Sequence, residues 1–230
     1  MTIIDNYRRI ENEIRERAIK TGRDPEEIKI ISVSKTFPYS DIQEAIDSGI
    51  TLFGENKVQE ANEKIPRLKG DFTFHMIGHL QTNKAKDAVR LFDLIHSVDK
   101  AETALKINNE ALKNGKIQRV LIQIKTSDES TKSGILPENA VELAENILGL
   151  ENIKLEGIMS IGPLTDDKNL TRKSFIETAD TLTEINRSLS LDLKELSMGM
   201  SGDYLIAVEE GATMIRIGTA IFGKRSYQYE

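Results

Sequence analysis

A (β/α)8 barrel of the TIM type, with an extra N-terminal helix, is the fold class this sequence predicts. Three observations predict it. Eight short apolar, β-branched segments recur along the 230 residues; stretches of helical periodicity separate them; and the residues least at home in a core stand just past the ends of the β-like segments. An open doubly wound sheet is the competing arrangement. The count of eight and the clustering at strand ends favour the barrel.

The elements follow in chain order. Ile3, Tyr7, Ile10, Ile14 and Ala18 fall at helical spacing and Thr21-Gly22 closes the run, so the chain opens with an amphipathic helix that packs on the flank of the domain. The candidate strands are KIISVS (29–34), ITLFG (50–54), FTFHMIG (72–78), LIHSV (94–98), RVLIQIKT (119–126), KLEGIMSIG (154–162), LKELSMG (193–199) and ATMIRIG (212–218). Each is short and bounded by polar or turn-forming residues, and all but LKELSMG contain β-branched or aromatic residues. Helical patterns lie between them in YSDIQEAIDSG, QTNKAKDAVRLF, DKAETALKINNEALKNG, PENAVELAENILGL and TRKSFIETADTLTEINRSLS. Ser40-Asp41 and Ser97-Val98-Asp99 read as helix caps. No linker or repeat boundary interrupts the alternation, so residues 1–230 are expected to form a single domain.

Composition narrows the function. With 31 basic and 37 acidic residues the formal net charge is -6, and no basic block is long enough to follow a phosphate backbone, which argues against nucleic acid as a partner. There is no cysteine, which excludes disulfides, thiolate catalysis and cysteine-ligated metals. The first twenty residues are charged throughout and lack a signal peptide's apolar core, and no later run reaches membrane-spanning length. A cytoplasmic, soluble monomer without membrane contact is expected. His75 and His79 are four apart but flank a strand end with no Glu between them, and with His96 they make a poor ligand set, so no metal is expected.

In a barrel the mouth at the C-terminal ends of the strands carries the chemistry. Lys35 follows the first strand and alternates with Ile31 and Val33; turned inward, its ammonium would sit on an aliphatic plug, where burial favours the neutral amine that attacks a carbonyl. The competing reading is a lysine reaching out to solvent. LSMGMSGDY ends strand seven in glycines and serines, and a helix opens near Ser201 to Asp203. RIGT ends strand eight in Gly218-Thr219. Phosphate sites in barrels are commonly built from these two loops, although the same glycines also suit ordinary turns. Arg216 alternates with Met214 and Gly218, and an inward arginine needs an acceptor. A carbonyl-trapping lysine with a phosphate cradle suits a phosphorylated aldehyde: a sugar phosphate, as in Schiff-base aldolases, or pyridoxal 5'-phosphate.

VSKTFP, FGENKVQE, FHMIGHLQTNK, HSVD, SDESTKSG, GIMSIGP, LSMGMSGDY and RIGTAIFG occur together and in this order. On these motifs the chain resembles the YggS/PROSC family of pyridoxal phosphate homeostasis proteins, single-domain barrels similar to the N-terminal domain of fold type III enzymes such as bacterial alanine racemase. The resemblance implies that Lys35 forms the Schiff base with pyridoxal 5'-phosphate and that Asn56 lies near the cofactor ring. It further implies that Met198, Gly199, Ser201, Gly218 and Thr219 form the phosphate cradle, and that Arg216 faces the pyridine nitrogen. His79 is also placed to face the ring. The sequence departs from the family at Lys125, where asparagine is common; a second amine at the mouth would compete for the aldehyde, and Lys132 is a further candidate.

The implied role is a carrier or buffer of the cofactor in vitamin B6 and amino-acid homeostasis, with apo pyridoxal-phosphate-dependent enzymes as partners. A racemase of this fold needs a second acid/base from a C-terminal β-domain, and the chain ends at Glu230, soon after strand eight. Tyr204, Tyr227 and Tyr229 are the available substitutes. The alternatives are an amino-acid racemase or related enzyme and, more distantly, a sugar-phosphate aldolase.

Overall fold

The computed structural model describes residues 2–127 and 133–223. In chain order the elements are α1 (Ile3–Lys20), β1 (Lys29–Val33), α2 (Tyr39–Asp47), β2 (Leu52–Glu55), α3 (Val58–Lys64), β3 (Thr73–Met76), α4 (Ala85–Leu91), β4 (Leu94–Val98), α5 (Ala101–Lys113), β5 (Gln118–Ile124), α6 (Ala140–Leu148), β6 (Ile153–Ser160), α7 (Lys168–Leu189), β7 (Glu195–Ser197), α8 (Tyr204–Glu209), β8 (Met214–Ile217) and α9 (Thr219–Phe222). The strands close into a parallel barrel in sequence order, and β8 pairs with β1 through Lys29↔Met214, Ile30↔Ile215, Ile31↔Arg216 and Ser32↔Ile217. All eight predicted strands are present. β4 matches at both ends and the other ends shift by at most two residues, because a ladder stops where its neighbour does and not where apolar residues run out.

Alternation along the strands separates two cores. Outward residues such as Phe53, Phe74, Ile95, Ile122, Ile158 and Ile215 pack beneath the helices. Inward residues Ile31, Leu94, Leu121, Met159 and Met214 meet inside the barrel, each fully buried. Below this layer charged side chains pair, Lys29 with Glu195 at 2.5 Å and Arg119 with Glu156 at 2.7 Å. Above it lies the mouth. The apolar layer therefore floors the upper cavity and seals it from the lower rim.

The N-terminal helix is where the sequence puts it. Thr2 and Asp5 cap it reciprocally, and Ile10, Ile14 and Ala18 are its buried face. Because α9 is a single turn, α1 covers the barrel wall there. Asn6 Nδ2 donates to the Ile221 carbonyl at 2.9 Å, Arg17 pairs with Glu209, and the Tyr204 hydroxyl donates to Glu13. Glu209 and Glu210 both pair with Arg172 of α7, and Asp167 caps that helix by accepting from Asn169 and Leu170. The caps expected at Ser40-Asp41 and Ser97-Asp99 are corrected: α2 starts behind Pro38 and α5 behind Lys100, neither with a side-chain cap bond. Ser97 lies within β4, where the ladder takes precedence over local capping. Among the described residues, no helix is long and apolar enough to cross a membrane, and no group of three metal-ligating side chains gathers.

Leu121 tests the interior layer. Replacement by alanine opens a cavity in a floor held from all sides, and the expected cost is about 2–5 kcal/mol in urea unfolding; a loss below about 1 kcal/mol would mean the layer is loosely packed.

Candidate functional site

A cavity of about 450 Å³ opens at the C-terminal ends of the strands, within the usual range for small-molecule sites. Val33, Ile77, Ile161 and Met200 supply its apolar wall, and Lys35, Asn56, His79, Gln123, Ser133, Ser201, Arg216 and Thr219 its polar one. The backbone at Gly78, Gly202 and Gly218 completes it.

Lys35 stands two residues past β1, half-buried, and it continues the inward register of Ile31 and Val33. The turn that carries it is strained. Thr36 has φ 68, in the left-handed region that β-branched residues avoid.

Arg216 is the neighbouring strand's contribution and is 4 % exposed. Its Nη1 donates to Ser197 Oγ at 2.7 Å and its Nη2 to the Ser160 carbonyl at 2.8 Å, which fixes the guanidinium plane with two of its five N–H groups. Burial lowers its pKa to about 10, so it stays a cation at neutral pH. A chain of hydrogen bonds continues beneath it: Ser197 Oγ lies 2.9 Å from His96 Nδ1, and His96 Nε2 lies 3.0 Å from His75 Nδ1. Since Arg216 only donates, the arrangement that satisfies each buried proton has Ser197 donating to His96 and His96 donating to His75. Both rings are then neutral. Burial, reinforced by nearby cations, lowers His75 to about 3 and His96 well below the ordinary histidine value.

Asn56, one residue past β2, rests its backbone against Gly78. A Cβ at position 78 would come within 2.3 Å of the Asn56 carbonyl oxygen, so a side chain there would displace Asn56 from the cavity. At β7 the lining residues are Met200, Ser201 and Gly202. Met198 and Gly199, expected in the cradle, are not among them. The Met198 N–H bonds to the Met214 carbonyl at 3.1 Å and its side chain is fully buried in the outer core. Gly199 holds φ 91, and a Cβ there would sit 2.5 Å from Ala207 Cβ, so it serves the packing of α8. Gly218 and Thr219 do line the cavity, and the first amides of α9 have no acceptor within their own turn.

Of the expected residues, Lys35, Asn56, Ser201, Arg216, Gly218, Thr219 and His79 come together. Gln123, Gly78, Ile77, Ser133 and Ile161 were not read from sequence, although Gln123 alternates with the interior Leu121 and was legible on that ground. Lys125 leaves the inward register at the end of β5 and lines a separate pocket with Pro137, Leu170 and Lys173. It is not a second amine in this cavity. Lys132, Tyr227 and Tyr229 lie outside the described residues, and Tyr204 faces Glu13 instead of the mouth. Among the described residues lining the cavity there are two basic side chains that form cations, Lys35 and Arg216, and no carboxylate. The cavity suits an anionic ligand with a group that an amine can attack.

Known proteins share this fold and, in part, this sequence. The family described as "Alanine racemase, N-terminal domain" matches residues 6–226. The chain is 40% identical over 228 residues to the "Pyridoxal phosphate homeostasis protein" of Aquifex aeolicus, covering 99% of this chain and 100% of that protein. It superposes on the solved structure of PipY of Synechococcus elongatus with pyridoxal phosphate bound at a TM-score of 0.81 and 37% identity, covering 91% of this chain and 100% of PipY. An alanine racemase of Clostridium difficile shares the fold at a TM-score of 0.76 and 20% identity, covering 98% of this chain and 58% of the enzyme.

The buried histidine pair sets a pH dependence. Each ring takes a proton more readily unfolded than folded, so stability is full above the free-histidine value of 6.5 and is lost as pH falls towards about 3. Between pH 7 and 5 His75 is expected to cost about 2 kcal/mol of unfolding free energy, and His96 acts in the same direction. Glu55, raised chiefly by burial, acts in the opposite sense. Urea unfolding at the two pH values, compared with His75→Gln, checks this; an equal loss in the variant would clear His75 of the effect.

Proposed function

Since the chain belongs to the family of pyridoxal phosphate homeostasis proteins, we propose that it binds pyridoxal 5'-phosphate reversibly in the barrel mouth and so carries and buffers it. The observation that carries this reading is the cavity that joins an amine and a guanidinium with no carboxylate among its described lining residues. Pyridoxal 5'-phosphate supplies an aldehyde, a dianionic phosphate and a ring nitrogen whose protonation sets its strength as an electron sink.

Lys35 Nζ is the group that condenses with the aldehyde, with loss of water. Ser201 and Thr219 offer hydroxyl donors, and Gly202, Gly218 and the opening amides of α9 offer backbone close enough to cradle the phosphate. Asn56 provides an uncharged partner for the ring's phenolic oxygen. Arg216 donates to the ring nitrogen and has no proton to spare at neutral pH, so that nitrogen stays unprotonated. Such an environment suits retention of the cofactor better than carbanion chemistry. A protein in this role hands the cofactor to apo enzymes, works in the cytoplasm and needs no second subunit to complete the mouth.

Amino-acid racemisation is the second reading, and one observation favours it: His79 lines the same cavity and offers a second acid/base. Racemisation of D- or L-amino acids at ordinary turnover, lost in both Lys35→Ala and His79→Ala, would establish it over the carrier.

The loaded protein is expected to be yellow, and borohydride is expected to fix a pyridoxyl group on Lys35; Lys35→Ala should lose the visible band. A colourless protein that takes up no added pyridoxal 5'-phosphate ends the proposal. Ser201→Ala and Thr219→Ala should each weaken retention by about fivefold to thirtyfold, about 1–2 kcal/mol and the worth of roughly one hydrogen bond to the phosphate; unchanged affinity in both would remove these loops from the cradle.

A further inference from the structure

The motif FGENKVQE lends the cavity only Asn56, yet its two glutamates bear on Lys35 from behind. Glu55, at the end of β2, is fully buried, and its Oε1 accepts from Ser34 Oγ at 2.8 Å. Lys64, from the end of α3, brings its Nζ to 3.0 Å from the same oxygen. That ammonium also donates to the Ser34 carbonyl at 3.2 Å and to Glu60 Oε2 at 3.1 Å. Glu60 Oε2 in turn accepts the Thr36 N–H at 2.9 Å. The residue before Lys35 and the residue after it are thus tied to one ion cluster. Thr36 is the non-glycine residue with φ 68, a conformation that persists only where its surroundings enforce it.

We propose that Glu55, Lys64 and Glu60 form a positioning brace that holds the 34–36 turn so that Lys35 points into the cavity. None of the three lines the cavity. Without the Glu60 acceptor, Thr36 relaxes towards an ordinary backbone conformation, the peptide after Lys35 rotates, and the side chain leaves its register with Ile31 and Val33. Lys64 is central because its one charge serves two carboxylates, and its side chain is only 13% exposed. Glu55 Oε2 is buried with no hydrogen-bond partner among the described residues, so that carboxylate depends on Lys64 and Ser34. The electrostatics agree: burial raises Glu55 while Lys64 and Ser34 draw it back, and against a burial penalty the Thr36 N–H and Lys64 hold Glu60 below the ordinary range. The inference rests on Lys35 being the functional amine.

Glu60 is the position to test, because it is partly exposed and its loss leaves the Lys64–Glu55 pair intact. Three quantities are read on the full chain: exchange of the Thr36 amide, competitive acetylation of Lys35 against the other lysines by acetic anhydride, and uptake of pyridoxal 5'-phosphate followed by absorbance. In Glu60→Ala, amide exchange is expected to rise about tenfold, and both Lys35 acetylation and cofactor uptake to change by about tenfold. Glu60→Gln keeps an acceptor for the Thr36 N–H and is expected to recover most of the change. If Glu60→Ala acetylates Lys35 and takes up the cofactor as the parent does, the brace is wrong. A general fall in melting temperature that moves all lysines alike, or one that Glu60→Gln fails to rescue, also overturns it. Acetylation requires no bound ligand, so a protein that takes up no cofactor would end the binding proposal while still reading the brace.

Discussion

Hydrogen bonding between β1 and β8 is the constraint on which the rest of the structure depends. It brings the first and last strands of the chain side by side, with Ile31 opposite Arg216, and so places the lysine after β1 beside the arginine and the Gly218-Thr219 corner of β8. In an open sheet those strands could lie at opposite edges and the three features would share no cavity. Closure also decides what lies beneath them, because alternate side chains of every strand must enter a space that only packed residues can fill. The fully buried layer of Ile31, Leu94, Leu121, Met159 and Met214 fills it and gives the mouth a dry floor.

A permanent cation set into that floor needs compensation. Arg216 receives it from neutral acceptors, Ser197 Oγ and the Ser160 carbonyl, and not from a carboxylate. A hydrogen-bonded carboxylate would cancel most of the field at the mouth; neutral acceptors orient the guanidinium instead, and Asp203 acts on its charge through space. The same need for neutrality explains the histidines below. Burial beside a cation keeps both rings uncharged, and the hydrogen bond of neutral His96 also holds Ser197 in place. Stability against acid and orientation of Arg216 are therefore two results of one chain of contacts.

Much of this was legible in the sequence because barrel strands obey a period of two and end at turn residues. Lys35 and Arg216 were placed by counting back to Ile31 and Met214, and Gly218-Thr219 by the turn after strand eight. Where the cavity lining departs from the sequence reading, the departures have physical causes. Met198 and Gly199 look like part of a glycine-serine phosphate loop, but the ladder with β8 extends through Met198 and the loop begins later, at Met200. Lys125 keeps the parity of an inward residue, yet β5 ends at Ile124 and the chain turns outward. Meanwhile His75 and His96 lie 21 residues apart and meet only because β3 and β4 are neighbours, a contact that no local pattern reveals.

Strand β2 shows how strictly parity governs the site. Gly54 and Asn56 face inward, Phe53 and Glu55 outward: a Cβ on Gly54 would lie 2.7 Å from Ile31 Cγ2, Phe53 packs in the outer core and Glu55 meets Lys64 of α3. A slip of one residue would exchange these faces. A carboxylate would then enter a cavity whose described lining holds none, and it would pair with Lys35 or Arg216 and compete with any anionic ligand. The motif avoids this by placing a small residue and an amide inside and a buried acid outside, where a lysine neutralises it. The position of that acid is then of use, since from the outer face it reaches Ser34 and leaves the amine next to it to the cavity.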